Sequence, residues 1–372
     1  MASLEYSGFR IRAISASVPS RIRKTEEFVE ELGTDSIDKF IKNVGIRQGH
    51  ITDERMTTSD LCVDAAKRII KELNIDLASI DALIFVSQTP DYIAPSTACV
   101  IQSRLNLSEN CLAYDINLAC SGFVYGISAA LGYISNEKIN NVLLLCGDTV
   151  SKHCSPSDRS LTMLSADAGS AILLEKSRNS KSVASFLLRT IGSGFRSLIV
   201  PYGGYRHRIG NSERIFREEG VFRNDYDGFM NGADVFKFSI SEVPKLVKDF
   251  YLENNLNSKS FDRCFLHQAN LFIMKNIGKR IGVNPEDLPI SLDRYGNTGA
   301  ATIPLTICDF YSRNEAAIVS EKILVCGFGI GLSLGVGVFN LEKTMILPIS
   351  ICNESYEDNI DNLHLEVFDF VR

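Results

Sequence analysis

Three short segments carry side chains able to do acyl-transfer chemistry: a thiol in Ala119-Cys120-Ser121-Gly122, an imidazole in His267-Gln268-Ala269-Asn270 and a carboxamide in Gly296-Asn297-Thr298. Thiolate is the attacking form of cysteine, and a thioester is a good acyl donor to it. An imidazole and a carboxamide can each donate a hydrogen bond to an oxygen on which negative charge grows. The set therefore points to thioester chemistry, with Cys120 as nucleophile and His267 and Asn297 beside it. Each residue has a plainer reading alone: a small buried cysteine, a satisfied core histidine, a turn asparagine. Their co-occurrence, each at the end of an apolar stretch, favours the chemistry.

The flanking residues say how each group is held. Cys120 follows the strand-like run Cys111 to Ala119 and precedes Ser121 to Ile134, a stretch of apolar and small residues that reads as a buried helix. At a helix N-terminus the partial positive charge and free N–H groups favour thiolate. His267 ends the apolar run from Cys264, and Asn297 precedes the small, apolar helical stretch Ala300 to Ile307. Gly327-Phe-Gly-Ile-Gly331 lacks the helix and ribose-binding acid of a dinucleotide loop. It reads instead as a glycine turn that lets backbone approach a ligand closely, so the N–H groups of Cys120 and Ile330 could form an oxyanion hole.

Alternating helical and strand patterns predict an α/β protein with covered sheets. Ser59 to Leu73 is a helix with one apolar face, and Asp81 to Ser87 and Asn141 to Gly147 are buried strands. Asn74 to Gln88 resembles Asn255 to Gln268, and Val142 to Gly147 resembles Ile323 to Gly327, at nearly equal separations along the chain. The chain thus reads as two duplicated halves, 1–180 carrying the cysteine and 181–342 carrying the histidine and asparagine. A loop at about 196–231, rich in arginine (Arg206, Arg208, Arg214, Arg217, Arg223), would cap a cleft, and the acidic extension 343–372 would dock on the body. Ile323 to Leu341 is uncharged and long enough to span a bilayer, but five glycines inside it predict two strands joined by a turn and no membrane span.

A net charge of −6 supplies no overall basic balance for nucleic acid. Ten cysteines stand singly with no Cys-x-x-Cys pair, which reads as a reducing compartment, hence cytoplasmic, with no disulfide framework. Five histidines, none three to five residues from another, give no local metal site. The N-terminus has no apolar core of signal-peptide length.

Over about residues 8 to 340 these motifs resemble the thiolase-fold condensing enzymes, and among them the 3-oxoacyl-(acyl-carrier-protein) synthase III family. Val44-Gly-Ile-Arg47, Ala94-Pro-Ser-Thr97, Pro156-Ser-Asp-Arg159, Asp167-Ala-Gly169 and Asn231-Gly-Ala-Asp234 match in order alongside the three segments. The resemblance implies a five-layered αβαβα fold, a homodimer, a Cys120-His267-Asn297 triad and no cofactor. It implies condensation of an acyl group carried on Cys120 with a malonyl thioester, malonyl-carrier protein, after loss of carbon dioxide. Donors would be acyl-carrier protein or acyl-coenzyme A.

The chain departs from that pattern in places. Lys39 and Asn43 stand where coenzyme A users carry tryptophan and arginine, and Phe272 stands two residues after Asn270 where many members have arginine. Arg159 remains. A carrier-bound donor is therefore expected, with Lys275, Lys279 and Arg280 facing an acidic carrier protein. Ala94, small where a larger dimer-loop residue is common, would admit a longer or branched acyl chain. An acyltransferase of the same fold, passing the acyl group to oxygen or nitrogen, is the alternative; a carboxylate in place of Asn297 would favour it. A non-catalytic partner is a third reading, disfavoured by the intact triad.

Overall fold

The computed structural model describes residues 2–360 except 181, 219, 316 and 359. Part of the predicted extension, 361–372, lies outside the described residues. The apolar runs become strands in two sheets. In the first, Phe9–Pro19, Asp167–Lys176, Asn141–Thr149, Ala82–Val86 and Leu112–Ile116 lie side by side in that order. In the second the order is Ala2–Ser7, Val183–Thr190, Ser333–Ile346, Ile318–Gly329 and Arg263–Leu266.

The duplication is visible in strand direction. Asn141–Thr149 pairs antiparallel with Asp167–Lys176 and parallel with Ala82–Val86. Ile318–Gly329 pairs antiparallel with Ser333–Ile346 and parallel with Arg263–Leu266. The matching sequence segments thus occupy matching strands. The sheets touch where Met345 and Ile346 pair with Ala13 and Ile14.

Helices fill three layers around the sheets. Gly122–Ile134 and Thr302–Arg313 each contact strands of both sheets, so they lie between them. That explains why the first is apolar on all sides: Phe123, Val124, Ile127, Ala130, Leu131 and Ile134 are all buried. Thr58–Glu72 covers the outside of the first sheet and Gly232–Glu253 the outside of the second. Apolar clusters follow the layers, one in the middle and one on each outer face. The result is an αβαβα stack. The Thr58–Glu72 helix starts in a capping box made by Thr57 and Asp60, an orphan-donor solution worth about 1 kcal/mol.

The charge-free glycine segment forms the expected antiparallel pair, with Ile330 to Leu332 as its turn. No helix among the described residues is long and apolar enough to cross a membrane. Past Ile346 the chain makes one more short strand, Ser350–Cys352, parallel to Ser17–Pro19. Arg104 then lies 4.4 Å from the Tyr356 ring centroid, and Asp60 accepts from the Tyr356 N–H at 3.0 Å. At 196–231 two small ribbons form, and three arginines are paired: Arg214 with Asp227, Arg217 with Asp225 and Arg223 with Asp158.

Candidate active site

Cys120 sits two residues before the Gly122–Ile134 helix. Gly122 is required there, since a Cβ would lie 2.6 Å from Val86 Cγ1. The glycine turn closes over the sulfur. A Cβ on Gly329 would lie 2.8 Å from Cys120 Sγ, and one on Gly327 would lie 2.9 Å from the Cys120 carbonyl oxygen. The N–H groups of Ile330 and of Cys120 itself both reach the thiol. Ser333 locks this turn, with its hydroxyl 2.7 Å from Ser121 Oγ and donating to the Ile330 carbonyl at 2.9 Å.

Such close packing decides the protonation state. Burial pushes the Cys120 thiol up to about 12, with Asp148 adding in the same direction and the two backbone N–H groups opposing. The helix-terminus argument for thiolate is therefore outweighed: although part of the residue reaches solvent, the apolar surroundings penalise the charge more than the helix start relieves it. Gly329→Ala is expected to drive the thiol out of place and cut acylation of Cys120 by about 100-fold or more, checked by the rate of mass gain from an acyl thioester.

His267 follows the strand Arg263–Leu266 and is buried. Its Nδ1 lies 2.8 Å from Thr302 Oγ1, and its ring stands edge-on to Phe328, next to Gly329. Burial lowers its pKa to about 3, so the imidazole is neutral at ordinary pH. Asn297 is half-buried. Its Oδ1 accepts from the Gly299 N–H at 3.1 Å, which leaves its Nδ2 as the donating end, and its backbone bridges to Leu164 and Ala166. Thr302 Oγ1 also reaches the Gly299 carbonyl at 3.1 Å. His267 and Asn297 are thus tied to one turn, and Phe328-Gly329 ties His267 to Cys120. The Cys120 helix meets the same turn, where a Cβ on Gly122 would approach Ala300 at 3.5 Å.

The neutral histidine sets a pH dependence of stability. Its folded pKa of about 3 lies below its ordinary value of 6.5. The unfolded chain binds a proton that the native site refuses, so stability is full above pH 6.5 and falls towards pH 3, by up to about 1.4 kcal/mol per pH unit. Denaturant unfolding of the wild type against His267→Gln is expected to show the wild-type curve falling more steeply through that window.

Sequence reasoning missed three residues. Asp148, buried at the end of Asn141–Thr149, accepts from the Ala300 N–H at 2.7 Å, the Gln88 N–H at 2.7 Å and the Ser87 hydroxyl at 3.0 Å. Burial pushes its carboxyl up to about 7. Its signal was a lone carboxylate closing an apolar strand. Thr302 was one of two threonines in an otherwise apolar helical stretch, and Phe328 read as part of the turn.

The other predicted positions are spread over the surface and the helix after His267. Asn270 caps the helix Leu271–Ile281, its side chain accepting from the Ile273 N–H at 2.8 Å. Phe272 is exposed and stacks on Phe236, with ring centroids 5.9 Å apart. Lys275, Lys279 and Arg280 are exposed on the same helix. Ala94 is exposed in the loop after Ala82–Val86. Arg159 pairs with Glu31 and lies 4.9 Å from the Phe28 ring centroid.

The layered duplicated architecture is that of the thiolase class. Two family models agree: 3-oxoacyl-(acyl-carrier-protein) synthase III matches residues 114–192, and 3-oxoacyl-(acyl-carrier-protein) synthase III C terminal matches residues 252–341. The chain is similar to the beta-ketoacyl-(acyl-carrier-protein) synthase III of Rhodopirellula baltica, 32% identical over 350 residues, covering 89% of this chain and 98% of that one. It is equally similar to the Coxiella burnetii enzyme of the same name, 32% identical over 333 residues, covering 89% and 99%. The crystal structure of a 3-oxoacyl-(acyl-carrier protein) synthase from Burkholderia xenovorans superposes with a TM-score of 0.86 at 33% identity, covering 94% of this chain and 99% of that one. The chain belongs to the 3-oxoacyl-(acyl-carrier-protein) synthase III family. OleA of Xanthomonas campestris, at 17% identity and a TM-score of 0.74, shares the fold.

Proposed function

We propose that the chain catalyses decarboxylative Claisen condensation between an acyl group carried on Cys120 and a malonyl thioester, giving a 3-oxoacyl thioester. The observation that carries this reading is the shared turn: one loop holds His267 and Asn297 and abuts the nucleophile's helix. In the first half, Cys120 sulfur attacks the thioester carbonyl. The Cys120 proton passes to solvent as the attacking thiolate forms, the oxyanion accepts from the Cys120 and Ile330 N–H groups, and the departing thiolate takes a proton from solvent. In the second, the malonyl carboxylate leaves as carbon dioxide, and its electron pair becomes an enolate on the thioester oxygen. His267 and Asn297 Nδ2 donate to that oxygen. The enolate carbon then attacks the acyl-cysteine, and Cys120 leaves as thiolate and takes a proton from solvent.

This role fixes a tautomer. Donation from Nε2–H needs Nδ1 to accept, so the single Thr302 hydroxyl proton must turn to Nδ1, 2.8 Å away, and not to the Gly299 carbonyl, the other acceptor in its reach at 3.1 Å. Thr302→Val removes that proton and is expected to slow decarboxylation about 10-fold to 100-fold, read as carbon dioxide release from malonyl-carrier protein.

The pairing of Arg159 with Glu31 reduces its availability to a nucleotide phosphate and supports a carrier-protein-bound acyl donor. Exposed Phe272 with Lys275, Lys279 and Arg280 offers an apolar and basic surface to an acidic carrier protein. A homodimer and a cytoplasmic setting complete the proposal, the latter supported by ten free cysteines. The test is incubation with a labelled acyl donor and malonyl-carrier protein. Carbon dioxide with a 3-oxo product is expected. A labelled oxygen or nitrogen acceptor without carbon dioxide would overturn the reading in favour of plain acyl transfer.

A further inference from the structure

We infer that Asp148 is a positioning residue that holds the Asn297–Thr302 turn, and through it both substrate-facing donors, in register. The inference rests on the donor roles proposed above. One carboxylate joins two distant parts of the chain. Its Oδ1 accepts from Gln88 and Ser87, at the end of the strand Ala82–Val86, and its Oδ2 accepts from Ala300 inside the turn. The contact leaves no slack. Gly299 has φ of +58°, and a Cβ there would lie 2.1 Å from Asp148 Oδ2.

The same turn has two outputs. The Gly299 N–H fixes Asn297 Oδ1 at 3.1 Å and so aims Nδ2 the other way. The Gly299 carbonyl lies 3.1 Å from the Thr302 hydroxyl, whose oxygen meets His267 Nδ1 at 2.8 Å. A displaced turn would therefore misaim the carboxamide and the imidazole together. Cys120 is held by a different turn, Gly327 to Gly331; it meets the Asn297–Thr302 turn only where Gly122 approaches Ala300, and Asp148 acts on the thiol only by opposing its ionisation, so removing the carboxylate should not slow acylation.

Burying a carboxylate this deeply is costly, and among the described residues hydrogen bonds alone, with no paired cation, hold it. With its carboxyl pushed up to about 7 the group is partly ionised near neutrality, and the ionised form grips backbone N–H groups more strongly than a neutral acceptor and lies against a helix start where negative charge is favoured. A carboxylate that merely supported the helix would weaken both half-reactions alike.

The experiment measures both half-reactions in the full-length wild type, Asp148→Asn and Asp148→Ala. Cys120 acylation is followed by intact mass, and decarboxylation by carbon dioxide release from malonyl-carrier protein. Asp148→Ala is expected to lower carbon dioxide release about 100-fold, chiefly in kcat, with acylation slowed by no more than about threefold. Asp148→Asn should fall between the two. In an Asn297→Ala background, Asp148→Ala should cost less than it does alone, because part of its effect is already gone. Equal loss of both half-reactions, or unchanged carbon dioxide release, would overturn the inference. Should the Asp148 variants not fold, Gly299→Ala displaces the turn with the carboxylate retained, and the same selective loss is expected; no selectivity there overturns the inference equally. A wild type that releases no carbon dioxide would defeat the proposed function and this inference with it, whereas an active wild type with unselective variants defeats this inference alone.

Discussion

Asn297→Ala is expected to lower carbon dioxide release from malonyl-carrier protein by about 10²–10³-fold while acylation of Cys120 stays within a few fold, because removal of one donor to a growing oxyanion costs this much. The asymmetry follows from placement. In the proposed mechanism the oxyanion of the acylation step faces the Cys120 and Ile330 N–H groups, which reach the thiol on the Gly327 to Gly331 side. Asn297 belongs to the other turn, with its Oδ1 taken by Gly299 and only its Nδ2 left to donate. Single-turnover mass spectrometry and carbon dioxide trapping separate the two steps. Equal loss in both would mean that Asn297 supports the site as a whole.

Cys120→Ala gives the complementary result: no acyl-enzyme by intact mass, with carbon dioxide release from malonyl-carrier protein persisting. The Ser121 hydroxyl beside Cys120 is buried and bonded to Ser333, which keeps it from replacing the sulfur. The sulfur's neighbours are Gly329 and backbone N–H groups, and burial of the thiol already reserves that space for an uncharged sulfur. With the thiol pushed up to about 12, acylation by the wild type should also quicken as pH rises from neutrality, since the thiolate fraction grows about tenfold per unit. His267, with a pKa of about 3, adds no ionisation of its own to that profile.

Much of this fold was legible because its signals are local. A charge-free run interrupted by glycines became the hairpin Ile318–Gly329 with Ser333–Ile346, and a stretch without a polar face became the helix held between two sheets. The sequence echo marked equivalent parallel strand pairs. What escaped was non-local. Asp148 and Ala300 meet across the two halves, and nothing in either segment alone announces the contact. Arg159 was visible as a charge, but its partner Glu31 lies on a helix far back in the chain. The arginines of 196–231 were visible as a basic loop, but not their partners: three pair with Asp158, Asp225 and Asp227. The thiol's protonation state was misjudged for a related reason. A helix terminus can be read from neighbouring residues, but the density created where Gly327 and Gly329 close on Cys120 is a property of packing.

The most direct test is a crystal structure of Cys120→Ala with a non-decarboxylating malonyl thioester analogue bound. The thioester oxygen is predicted to lie within about 3 Å of both His267 Nε2 and Asn297 Nδ2. An analogue bound with that oxygen facing water, or facing the Ile330 N–H instead, would contradict the division of labour between the two turns.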